Sequence, residues 1–262
     1  MSFSISRNLE KAKSAYKNKN LKESKAAHNA VAPEKHQISG QYIKSAIYGG
    51  LDGIITTFAV VAGVAGAALS PNIVLILGFA NLIGDGLSMA IGDYLSTKAE
   101  REYHQAERER ETWELKNYPE GEKKEMIEIY VNKGYSKEES EKIVNIMSKN
   151  DNAFVDVMMV EELGIVESDE SPLKNALVTF FSFAFFGLIP LLAFVVSLFI
   201  KQDFNIFIAA SILTGLTLFI LGAIKTKVTG KNWLYSGFEM LLVGGIAAGA
   251  AYIIGAVVAL IV

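Results

Sequence analysis

The carboxylates of this chain fall into patterns that could hold a cation. Glu107, Glu111 and Glu114 are spaced i, i+4, i+7, which puts them on one face of a helix. Glu122 and Glu125 form an i, i+3 pair just past a break at Asn117-Tyr118-Pro119-Glu120-Gly121. A helical hairpin at that break would turn the Glu111/Glu114 pair to face the Glu122/Glu125 pair. Four carboxylates converging from two helices suit a hard divalent cation. Spacing alone also allows a solvated face laced with ion pairs, and the alternation of Arg108 and Arg110 with these glutamates fits that well. Farther along, Met158-Met159 is followed by Glu161-Glu162. A thioether beside carboxylates favours a borderline divalent metal over Mg²⁺ or Ca²⁺, while the same methionines fit ordinary packing of a helix.

A second set of acids lies in apolar surroundings. Asp52 sits in Gly49-Gly50-Leu51-Asp52-Gly53-Ile54, and Asp85 and Asp93 flank Met89 in Gly84-Asp85-Gly86-Leu87-Ser88-Met89-Ala90-Ile91-Gly92-Asp93. A carboxylate at the centre of a bilayer costs at least about 2.5–3.5 kcal/mol, so such residues face a bundle interior and mark ion pathways. Asp85 and Met89 share a helix face, and Asp93 continues the row to a depth where an interfacial position would also explain it. Glu239 has the same ambiguity in the last apolar run. The chain has no cysteine and three scattered histidines, His28, His36 and His104, so metal chemistry must rest on oxygen donors with methionine as the soft one. No catalytic constellation, catalytic cofactor or nucleic-acid partner is expected.

These groups need elements to position them. Five apolar stretches, residues 45–69, 72–95, 173–200, 204–224 and 233–262, are long enough to cross a bilayer as helices. The expected architecture is an all-α membrane protein: a polar tail over 1–44, two spans over 45–95, an acidic helical domain over 96–172, and three spans over 173–262. Twenty-four of the 25 lysines and arginines lie in the tail, the insert with Lys174, and the 225–231 loop; one, Lys201, lies on the opposite side. The positive-inside rule then places the tail and the insert in the cytosol and the C-terminus outside it. The tail holds no short apolar stretch followed by small residues, so a cleaved signal peptide is not expected.

The second span carries no breaker after Leu95, and good helix formers continue to Lys116. A helix over 72–116 is about 67 Å long, more than twice the hydrocarbon thickness of about 30 Å, so it must project as a stalk. Three helices are expected beyond it: over 119–132 up to Gly134, after a Ser136/Glu139 capping box, and over 153–163 up to Gly164. The insert has 20 acidic and 11 basic residues. Gly49/Gly53 and Gly245/Gly249 are small-xxx-small pairs that suit helix packing within one chain or between two.

The residues 50–58, 80–96 and 155–164 together resemble the vacuolar iron transporter family, in the order expected and over a similarity that runs from Tyr42 to the C-terminus. The resemblance implies a homodimer of five-span subunits that exchanges cytosolic Fe²⁺ for protons across the membrane of a vacuole or similar acidic store, with Mn²⁺ or Zn²⁺ as further cargo candidates. It implies that Asp52 and Met89 line the path; Asp85 and Asp93 join them as path candidates through their places flanking Met89 in the second span. It also implies that Glu111, Glu114, Glu122, Glu125, Met158 and Glu162 bind metal in the cytosolic domain. Glu167 stands near where relatives carry one more glutamate, and Glu161 and Glu107 are neighbours that could contribute. A membrane-anchored iron-oxidising protein is the rival from another class, but its usual Glu-x-x-His repeats are missing.

Overall fold

The computed structural model describes residues 14–28, 42–166, 170–199, 205–229 and 231–261. The chain divides into two compact units, residues 1–44 and 45–262. In the first, α1 (Leu21–His28) starts where the Asn20 side chain accepts the amides of Lys22 and Glu23. The described residues of the second unit are helical, with no strand among them.

α2 (Ile43–Gly66), the lower half of α3 (Pro71–Asn117), α7 (Pro172–Ser197), α8 (Ile206–Thr229) and α9 (Trp233–Ala259) are each long and apolar enough to cross a membrane. α3 runs unbroken for 47 residues, about 70 Å. Pro71 opens it at the first turn, where a missing N–H leaves nothing unsatisfied. It stops where Tyr118 leaves helical geometry (φ −142°) and donates its amide to the Glu114 carbonyl at 2.7 Å. Pro119 then begins α4 (Pro119–Asn132), followed by α5 (Lys137–Met147) and α6 (Asp151–Glu161). The Ser136/Glu139 capping box forms as the sequence predicts. Gly134 and Gly164, at φ +101° and +67°, provide the left-handed turns after α4 and α6. α6 starts two residues earlier than its apolar pattern suggests, because Asn150 Oδ1 caps the Ala153 amide at 3.2 Å.

Two cores organise this unit. In the apolar layer α3 packs on α7, α7 on α8 and α8 on α9, around Phe58, Val61, Leu82, Phe183, Leu191 and Phe194. α2 meets α7 with almost no side chain between them: a Cβ on Gly49 would stand 2.6 Å from the Thr179 carbonyl, and one on Gly53 would overlap the Phe183 backbone. Gly245 and Gly249, by contrast, face open space. The two small-residue pairs therefore differ: the first packs helices within the chain and the second is unused there. Gly53→Leu should lower stability by at least about 1–3 kcal/mol through overpacking against rigid backbone. Gly245→Ala should stay within about 0.5 kcal/mol of wild type. Thermal unfolding in detergent checks both, and equal midpoints would show that α2 does not sit where described.

The second core lies at the distal end of α3. Leu115 joins Met126, Val144, Phe154, Val155, Met158, Met159 and Ile165 there, so α4–α6 fold around the tip of the stalk.

Candidate metal centre

The tip of α3 and the two helix ends beside it concentrate carboxylates. Glu111 and Glu114 project from the last turns of α3, Glu122 and Glu125 from the first turns of α4, and Glu162 caps the end of α6. The break at Tyr118 reverses the chain, and Gly121 packs under the Tyr118 ring. That seat turns the start of α4 back onto α3. Glu162 is held by its amide, which donates to the Met158 carbonyl at 3.0 Å.

Two overlapping triads result. Oxygens of Glu111, Glu114 and Glu122 lie within 4.8 Å of one another, and so do oxygens of Glu122, Glu125 and Glu162. Oxygens opposite each other around a divalent ion at 2.0–2.6 Å stand about 4–5 Å apart, so either triad can close on one ion with little movement. Glu122 belongs to both.

Burial makes the cluster unusual. Glu111 is 0% exposed and Glu122 6%, and both Glu111 oxygens and Glu162 Oε2 have no hydrogen-bond partner. Arg110 Nη2 lies 2.7 Å from Glu111 Oε1 as an ion pair, but without an N–H aligned for a hydrogen bond. Buried charge without a partner is costly, so these acids shift toward the neutral form. Desolvation, reinforced by the Glu111 and Glu125 carboxylates, raises Glu122 and Glu162 from 4.5 to about 7. Desolvation also raises Glu111, against the pull of Arg110. Proton or metal ion, the site calls for positive charge.

The other acids predicted near this centre stand apart from the triads. Glu107 pairs with Arg110 at 2.8 Å, and Glu161 pairs with Lys133. Glu167 lies outside the described residues. Met158 and Met159 are both buried in the core around the tip of α3.

Within the apolar layer, Asp52 is half-buried on α2 and Asp85 is exposed on α3, within electrostatic range of each other. Thr56 donates to the Asp52 backbone carbonyl at 2.8 Å, leaving the carboxylate uncommitted to it. Met89 packs against the bundle core. Asp93 accepts a hydrogen bond from Thr179 of α7, a partner that spacing could not reveal across 86 residues. Glu239 pairs with Lys225 across α8 and α9 at 3.3 Å, which accounts for its place in the last span. Eighteen residues of α3 separate Asp93 from Glu111, about 27 Å of continuous helix.

Fold and site together define an all-helical integral membrane protein whose second span carries an acidic cluster at its far end. Residues 43–256 match the model of the VIT family, and the chain belongs to that family. A vacuolar iron transporter of Toxoplasma gondii is 41% identical over 98% of this chain and 90% of its own length. One of Plasmodium falciparum is 38% identical over 97% of each chain, and vacuolar iron transporter 1 of Arabidopsis thaliana is 35% identical over 86% of this chain and 89% of its own. The family is one of transporters rather than enzymes.

Proposed function

We propose that this protein is a proton-coupled transporter that moves Fe²⁺ from the cytosol into a vacuole or similar acidic store. The observation that carries this is the cluster of Glu111, Glu114, Glu122, Glu125 and Glu162, partly buried and short of hydrogen-bond partners, gathered at the tip of a helix continuous with the span that bears Asp85, Met89 and Asp93. The names of the relatives point to iron and to the vacuole. The lysine and arginine distribution supports a cytosolic insert and an outward C-terminus.

In this mechanism the insert captures Fe²⁺ at the two triads, with the Met158 thioether as the soft donor that favours it over Mg²⁺ and Ca²⁺. The ion passes down the stalk to Asp93 and Asp85, then to a site including Met89 and Asp52. Protonation of Asp52 from the acidic side releases the ion, because one carboxylate lone pair cannot hold both. The proton leaves to the cytosol and completes the exchange. A homodimer would place a second copy against the exposed face of α3 that bears Asp85 and Gly92.

Metal uptake into proteoliposomes with an acidic lumen tests the proposal. Fe²⁺ should accumulate, with Mn²⁺ slower and Zn²⁺ slowest, and a protonophore should collapse uptake. Uptake indifferent to the pH gradient would remove the proton coupling, and absence of metal uptake would remove the transport.

A further inference from the structure

The fold sets a cation of its own against the acidic cluster. Arg110 Nη2 is 2.7 Å from Glu111 and 2.8 Å from Glu107, and Nη1 is 3.4 Å from Glu114. Two of these three partners, Glu111 and Glu114, belong to a metal triad. The guanidinium is 46% exposed on a long side chain, so it can swing into solvent, whereas Glu111 is wholly enclosed and cannot follow. Its contact with Glu111 lacks hydrogen-bond alignment, and its hydrogen bonds run to Glu107, outside the triads, and more weakly to Glu114 at 3.4 Å, so it neutralises Glu111 without being held by it.

We propose that Arg110 is a built-in counter-cation that a divalent ion must displace to bind at Glu111, Glu114 and Glu122. This rests on the reading of the cluster as a metal site. Guanidinium and metal ion compete for the same two carboxylates. A divalent ion held by three carboxylates doubles the charge at closer range and wins the exchange. Na⁺ or K⁺ brings no more charge than the guanidinium it would evict and loses. Arg110 therefore raises the threshold for occupancy and excludes monovalent ions.

The test is Mn²⁺ binding to the full chain in lipid nanodiscs, read from the free-Mn²⁺ electron paramagnetic resonance signal. Arg110→Gln should bind Mn²⁺ about tenfold more tightly, the equivalent of its ion pairs with Glu111 and Glu114 no longer competing. It should also gain sensitivity to KCl. Lys123→Gln removes the same charge from α4, where Lys123 pairs with Glu120 at 3.6 Å, and should change affinity less than about twofold. Arg110→Lys, expected to tighten binding about threefold because one ammonium cannot span three carboxylates, carries the test if the glutamine variant does not fold. Unchanged or weaker binding in the Arg110 variants would overturn the proposal, as would equal tightening by Lys123→Gln, which would show only the effect of net charge. Saturable binding missing from wild type and variants alike would instead sink the metal site itself.

Discussion

Asp52→Asn should reduce Fe²⁺ uptake by proteoliposomes about a hundredfold or more, as expected when about 3 kcal/mol of ion–carboxylate attraction is lost in a site shielded from water. Asparagine preserves the size of the side chain, and the contacts of Gly49 and Gly53 with α7 do not involve the Asp52 carboxylate, so the fold should survive. What asparagine cannot do is carry charge or trade a proton for a metal ion. Asp52 is half-buried in an apolar helix, and the nearby Thr56 hydroxyl is committed to the backbone carbonyl. Asp85, its electrostatic neighbour, is exposed, so Asp85→Asn should cost less. Mn²⁺ binding at the stalk tip should be unchanged in Asp52→Asn, because about 27 Å of helix already separates Asp93 from Glu111. Wild-type uptake by Asp52→Asn would rule out the proposed exchange.

Metal binding at the stalk tip should depend steeply on pH, and Glu122→Gln should weaken it about a hundredfold, since Glu122 belongs to both triads and its carboxylate is buried. Glu122 and Glu162 hold their protons up to about 7 in the folded chain, against 4.5 when unperturbed. An ion arriving below pH 7 must expel those protons, so affinity should fall up to about a hundredfold per pH unit as pH drops from 7 toward 5, and level off above 7. In the metal-free chain these two groups should act in the opposite sense: their folded-state values exceed the unfolded ones, so the stability they contribute is fully present below pH 4.5 and is lost as pH rises through 7. Bound metal should offset that decline. Mn²⁺ titrations from pH 5.5 to 8, with proton release followed in weak buffer, measure both effects; affinity flat across that range would show that these carboxylates are not the ligands.

Much of this architecture is legible in local pattern. The runs of apolar residues define five helices long enough to span a membrane, and the lack of any breaker between Leu95 and Lys116 makes the second of them a stalk. Pro119, the Ser136/Glu139 box, Gly134 and Gly164 mark the ends of the insert helices because capping and left-handed turns depend on residues within one turn of the chain. The meeting of Glu111 and Glu114 with Glu122 is legible for the same reason: one tight break joins two helices with known periodicity. Glu162 is not legible in spacing, and only the family resemblance points to it, since it arrives from a helix 40 residues farther on.

Which neighbouring acid joins the cluster was decided by tertiary structure. Glu161 and Glu162 are adjacent in sequence, yet the turn ending α6 sends the first to Lys133 and the second to Glu122 and Glu125. Arg110 could have been one more charge on a solvated face; folding sets it against a carboxylate that α4 and α6 have shut off from water. Thr179 on Asp93, Lys225 beside Glu239, and the contrast between packed Gly53 and open Gly245 all depend on which helix lies alongside. The sequence by itself determined the helices, their lengths and the acidic face, because those follow from periodicity and capping. Only the folded chain decided burial, and burial is what takes Glu111 and Glu122 out of water, holds Glu122 and Glu162 protonated up to about 7, and leaves carboxylates close enough to share a cation.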